Sequence, residues 1–246
     1  MSSHYSDMGL YDYDEQVTDC VDQHRSEGKI IRTPHGIYRV LSLGKNVEIW
    51  GIGDDESDEI YDFEIHYNDS VTTPFYFTRW VKEDFTQMFG MCYGWSRDKQ
   101  HETPTEVPYN LMVVNAGEFD LKKGDICRVQ IAGYGENMLD YIPEGQGHES
   151  SIPCGTFPLP GKEKEFDPSP YAILSAKIKA MEKRTNEVTG KSYYYFLASC
   201  FGLDLVLLVD EEHVPPETKV GGYIHDVFWL SAKVIEVIGN EKEGIH

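Results

Sequence analysis

The chain has 246 residues, 42 of them acidic and 22 basic, for a formal net charge of −20. So negative a chain repels phosphate backbones at long range, which disfavours non-specific nucleic-acid binding by the whole molecule. Hydrophobic residues at 40% and charged residues at 26% exclude wholesale disorder, and 13% aromatic residues favour strands.

From Tyr11 to Glu27 the positions Tyr13, Val17, Val21 and His24 fall at helical spacing, and Gly28 follows as a stop. Strands are expected over Ile37 to Leu43, Val47 to Ile52 and Ile60 to Tyr67. They are separated by Gly44-Lys45-Asn46 and by the acidic loop from Asp54 to Asp58, which together read as an antiparallel meander. Between Arg79 and Cys92 the residues Val81, Phe85, Met88, Phe89 and Cys92 form a second helical stripe. Asn110 to Asn115 and Asp125 to Tyr134 are further strands. Gly145 to Pro170 collects Gly, Pro and charge without a period, and reads as a module boundary.

The carboxy-terminal part has the clearest pattern. Ala172, Leu174, Ala176, Ile178 and Ala180 form one apolar alternate set, opposed by Ser175, Lys177 and Lys179 on the other face. A hairpin loop over Thr185 to Gly190 leads into a strand over Ser192 to Cys200. A third strand covers Leu203 to Val209, a connection runs from Glu211 to Gly222, and a long last strand covers Tyr223 to Val237. No internal repeat is visible. The expected fold is mostly β (α+β). It comprises an acidic α+β module over 1–150 with two helices against a meander, a linker or packed loop over 151–170, and a β-barrel module over 171–240.

That order of strands, carried by Ala172-Ile-Leu-Ser-Ala-Lys-Ile-Lys-Ala-Met-Glu-Lys-Arg184, Gly190-Lys-Ser-Tyr-Tyr-Tyr-Phe196 and Leu203-Asp-Leu-Val-Leu-Leu-Val209, resembles the OB-fold modules of nucleic-acid-binding proteins. The segment from Val220 through Phe228-Trp-Leu-Ser-Ala232 is also similar to the close of a group of uncharacterised bacterial proteins. The resemblance covers residues 171–238 and implies an OB-like barrel.

Aromatic and basic residues interleave on one expected face of this module: Lys177, Lys179, Tyr193, Tyr195, Trp229 and Lys233, with Lys183, Arg184 and Lys191 in or beside the hairpin loop. Stacking platforms flanked by phosphate partners are what single-stranded nucleic acid requires. Tyr, Trp and Arg are equally the anchors of protein interfaces, and Glu182 and Glu187 dilute the positive charge. Residues 1–160 carry a net charge of −16 and residues 161–246 a net of −4, so an acidic amino-terminal surface is available to a basic protein.

The run Asp54-Asp-Glu-Ser-Asp-Glu59, continuing through Asp62 and Glu64, lacks the residue order of a calcium loop. The five cysteines, Cys20, Cys92, Cys127, Cys154 and Cys200, have neither disulfide-framework nor zinc spacing. Cys92 with the scattered His66, His101, His148 and His225 makes no recognisable catalytic motif, and Gly133-Tyr-Gly135 is only a fragment of a dinucleotide fingerprint. No run approaches the roughly 18 apolar residues of a membrane helix, and the start lacks the basic and apolar segments of a leader. The expectation is a cytoplasmic, non-enzymatic protein without cofactor or metal that binds another protein as an inhibitor or immunity-type factor. The alternatives are single-stranded nucleic-acid binding and an enzyme with an unrecognised site.

Overall fold

The computed structural model describes residues 4–10, 14–53, 59–81, 88–97, 106–154, 168–201 and 203–240. After a 3-10 turn at Ser6–Met8, helix α1 covers Asp14–His24 and ends in a second 3-10 turn, Arg25–Glu27. Val17, Cys20 and Val21 are buried at i, i+3 and i+4 while Glu15, Asp19 and Asp22 face out, the stripe an amphipathic helix needs. Gly28 caps the second 3-10 turn, its N–H donating to the Arg25 carbonyl, and a Cβ there would lie 2.6 Å from Arg39 Cγ and 2.8 Å from Leu41 Cδ2.

Four antiparallel strands follow: β1 (Lys29–Thr33), β2 (Gly36–Ser42), β3 (Val47–Gly53) and β4 (Ile60–Tyr67). The β2–β3 turn is met by Gly44 and Asn46, both with positive φ (105° and 68°). The meander is as expected, with β1 as an additional edge strand.

Ten more strands make one sheet: β5 (Thr73–Trp80), β6 (Gly90–Arg97), β7 (Glu106–Val113), β8 (Asp125–Gly135), β9 (Asp140–Ile142), β10 (Ser150–Pro153), β11 (Tyr171–Thr185), β12 (Ser192–Cys200), β13 (Leu203–Asp210) and β14 (Tyr223–Asn240). The second expected helix is not found among the described residues of its span. Arg79 and Trp80 end β5 and Gly90 to Cys92 begin β6, while residues 82–87 lie outside the described residues. Helical spacing misleads at this point because Met88 and Phe89 fill one core while Cys92 fills another.

The sheet closes on itself. Its order is β10-β11-β12-β13-β8-β5-β6-β7-β14-β9, with further pairings of β11 and β8 to β14. Hydrogen bonds followed along β11–β12–β13–β8–β14 return to β11, and only the β13–β8 pair is parallel. Those along β5–β6–β7–β14–β8 return to β5, and only β7–β14 is parallel.

Exchanging β5 with β11, β6 with β12, β7 with β13 and β8 with β14 converts one circuit into the other. The pair Ala132↔Ser231 lies at the centre of this relation: Val206 pairs with Ala132 as Met112 pairs with Ser231. Thr73 opposite Val129 corresponds to Ala172 opposite Phe228. Each circuit has a bulge in its first strand, between Phe77 and Arg79 in β5 and between Ile178 and Ala180 in β11. Two like halves thus each supply four strands and borrow the other's last. This repeat escapes the sequence because it lies in pairing order, and residues that merely alternate apolar and polar can satisfy it without being alike.

The bulge also corrects the expected apolar face of β11. Ala172, Leu174, Ala176 and Ile178 are buried, but the extra residue turns Ala180 out to solvent. The expected boundary near residue 150 falls inside the sheet: β8 lies between β13 and β5, and β10 pairs with β11. Residues 155–167 lie outside the described residues.

The inner face of this sheet encloses the largest core, including Phe75, Tyr109, Val129, Leu174, Phe196, Leu207 and Phe228. A second core joins α1 and the small sheet to the outer face, through Val17, Leu41, Ile49, Tyr67, Tyr134, Tyr193, Tyr195 and Leu208. A third lies around Tyr38, Trp50, Met88, Phe89 and Val114. The amino-terminal segment is fastened across the outer face. Asn186 donates from Nδ2 to the carbonyls of Met8 (3.1 Å) and Leu43 (2.9 Å), and Met8 and Leu10 are wholly buried.

Candidate functional site

The structure divides the expected basic–aromatic face. Tyr193 and Tyr195 are buried, at 2% and 8% exposure, so neither is a stacking platform. Strand alternation does place them on the outer face, but Tyr67 of β4 lies against both rings, with centroids 6.3 and 6.1 Å away. The Arg184 guanidinium stacks 3.7 Å over Tyr195, donates to the Tyr67 hydroxyl, and makes 2.8 and 2.6 Å hydrogen bonds to Glu182. Burial first, then the neighbouring Tyr67 and Asp69, pushes the Tyr193 and Tyr195 phenols up, Tyr195 to about 12.

Most of these cations are set against a carboxylate. Lys177 lies 3.7 Å from Glu144, Lys179 pairs with Asp204 and Lys183 with Glu211. Lys233 is 3.0 Å from Glu48 and 5.2 Å over the Trp50 ring, enclosed between the two sheets. Lys191 closes the hairpin, its carbonyl accepting from the Asn186 N–H and its N–H donating to Thr189. Exposed pairs of this kind add little stability, but they cancel the field a phosphate backbone would feel.

Of the acidic run, residues 54–58 lie outside the described residues. Asp62 is exposed, and Glu64 stands opposite Trp50 in the β3–β4 ladder, its carboxyl pushed up to about 8 by burial and then by Asp62. On α1, Glu15 and Asp19 have no cation partner among the described residues, and Asp22 is 3.8 Å from Arg25. Among the described residues no group of three or more His, Cys, Asp or Glu could hold a metal ion.

Cys92 is buried with its thiol pushed up by burial and then by Cys127, which keeps it protonated and unreactive. His66 Nδ1 is 3.1 Å from Ser231 Oγ, the pairing of a base with a nucleophile. Both side chains are wholly buried, however, and Ser231 Oγ donates to the Ile65 carbonyl at 2.8 Å. Burial, then Lys233, lowers His66 to about 3 against the opposing hydrogen bond to Gln130. The pair fastens the small sheet to β14. His148 and His225 lie beside β11 instead, the former accepting from Ser175 and the latter pairing with it. His101 lies outside the described residues.

A grouping that the sequence reading missed lies at the outer junction of β8, β11 and β14. The His4 ring stacks on Trp229 with centroids 4.6 Å apart and planes at 29°. Tyr171 stands 6.0 Å from His4 and edge-on to Trp229, and Tyr134 is 6.5 Å from His4. His4 Nδ1 approaches Glu136 Oε1 to 2.6 Å, with both side chains near one-fifth exposed. Tyr171 is hydrogen-bonded to Glu136, and burial followed by that carboxylate pushes its hydroxyl up to about 12.

Asp7 and Asp226 adjoin this grouping. Asp226 accepts from Asn137 Nδ2 and N–H (3.1 Å each), and Asp7 Oδ1 accepts from the Asp210 N–H at 2.8 Å. Asp7 Oδ2 has no hydrogen-bond partner among the described residues, and burial raises its carboxyl, more strongly than the Asp210 hydrogen bond lowers it. Nothing local in the sequence announces this grouping, because His4 and Trp229 stand at opposite ends of the chain.

Compared with known proteins, the chain matches no family model, no curated protein and no solved structure.

Proposed function

We propose that this is a non-enzymatic binding protein of the cytoplasm, of inhibitor or immunity type, that docks a basic protein through an acidic outer surface. One observation carries the reading. Lys177, Lys179, Lys183, Arg184 and Lys233 of the carboxy-terminal half are set against the protein's own carboxylates, whereas Glu15 and Asp19 project from α1 with no cation partner among the described residues. The negative field is therefore the one left to a partner, and complementary charge speeds encounter and suppresses wrong partners. The burial of Tyr193 and Tyr195 argues against stacking of single-stranded nucleic acid. The circuit β11–β12–β13–β8–β14 supports an OB-like reading of the carboxy-terminal part, with β8 as its fifth strand.

The test is capture of partners by the tagged full chain from its native cells, with and without nuclease, using wild type and the triple variant Glu15→Lys, Asp19→Lys, Asp22→Lys. A stoichiometric basic partner that survives nuclease and binds the variant about tenfold or more weakly is the expected outcome. Binding indifferent to charge reversal and salt, or material lost on nuclease treatment, would overturn it.

A further inference from the structure

The seat occupied by His4 has the composition of a cation-recognition site. Trp229 offers a ring face, Tyr171 closes one side, and Glu136 supplies a carboxylate 2.6 Å from the imidazole. Aromatic faces attract cations through their quadrupole, most strongly when the site is partly desolvated. Asp226 and Asp7 adjoin Glu136. The ring nitrogen that meets Glu136 is that of His4.

His4 is accompanied by other anchors of its own segment. Met8 and Leu10 fill the core, Asn186 holds the Met8 carbonyl, and Asp7 holds the Asp210 N–H, all carboxy-terminal to it. An imidazole carries charge only when protonated, unlike a guanidinium or an ammonium, so it fills such a seat incompletely. The seat also opens to solvent, the His4 and Glu136 side chains being 22% and 19% exposed.

We propose that Trp229, Tyr171 and Glu136 form a cation-binding seat, filled here by the protein's own His4, that accepts a basic side chain of a protein partner when His4 is displaced. The source of the cation rests on the binding function proposed above; the seat itself does not. Charge reversal on α1 tests the partner and the titration below tests the seat, so either can fail alone.

The probe is tetramethylammonium, with its neutral isostere 3,3-dimethylbutan-1-ol as control. The readout is the Trp229 indole N–H resonance, assigned through Trp229→Phe. His4→Ala in the full chain vacates the seat, and it is expected to bind tetramethylammonium saturably and about tenfold more tightly than wild type, which must first displace its own ring. Adding Glu136→Gln weakens that binding about fivefold, and the isostere does not compete. A cooperatively melting His4→Ala variant without a saturable shift, or one that binds the isostere equally well, overturns the proposal. Should His4→Ala fail to fold, wild type is titrated to high concentration: displacement of the His4 imidazole resonances supports the seat, and their persistence overturns it.

Discussion

At the scale of single residues, two buried groups tilt stability in opposite directions with pH. His66 is lowered to about 3 from an ordinary 6.5, so the unfolded chain binds the extra proton and stability falls as pH drops through that window. Glu64 is raised from an ordinary 4.5 to about 8, so the folded state holds the extra proton and stability falls as pH rises from 4.5 toward 8. Asp7 and Asp226, also raised, act with Glu64. The Glu64→Gln variant should therefore lose part of the decline between about pH 6.5 and 8, with the acid limb set by His66 unchanged. Urea denaturation across pH 4 to 9 measures this. An unaltered slope above pH 6.5 would mean that Glu64 is not held protonated in the fold.

At the scale of elements, the two circuits require close approach at certain strand positions. A Cβ on Gly94 of β6 would lie 2.3 Å from the Tyr76 carbonyl oxygen and 2.4 Å from the Phe75 ring, and the carbonyl cannot yield without disturbing the β5–β6 ladder. On Gly133 of β8 it would meet the end of the Leu207 side chain at 2.7 Å, which can rotate away. Gly94→Ala is expected to cost about 3 kcal/mol and Gly133→Ala roughly 1 kcal/mol. Chemical denaturation of the pair checks the order, and equal losses would show that β5 and β6 have more room than their register implies.

At the scale of the whole molecule, neither half closes without the other. β8 pairs with β13 and β14, and β14 pairs with β7 and β8. A fragment of residues 168–240 would therefore expose the β13 edge and the side chains of Leu205, Leu207 and Leu230. It should give poorly dispersed amide resonances, whereas the full chain gives dispersed ones. A well-dispersed spectrum from the fragment would show that the second half closes by itself.

Local pattern alone determined a good part of this protein. The helix around Val17 and Val21, the meander from β2 to β4 and the strands from β11 to β14 follow from spacing and turn residues, because a 3.6-residue or 2-residue period needs only near neighbours in the chain. The same alternation correctly set Tyr193 and Tyr195 on one face. It could not say that Tyr67 covers them, nor that a bulge turns Ala180 outward. Tertiary structure alone decided the exchange of β8 and β14 between halves, the pairing of the carboxy-terminal cations with carboxylates, and the seat that joins His4 to Trp229. Each of these is a meeting of distant segments, set by which apolar faces bury one another, and sequence periodicity does not record such meetings.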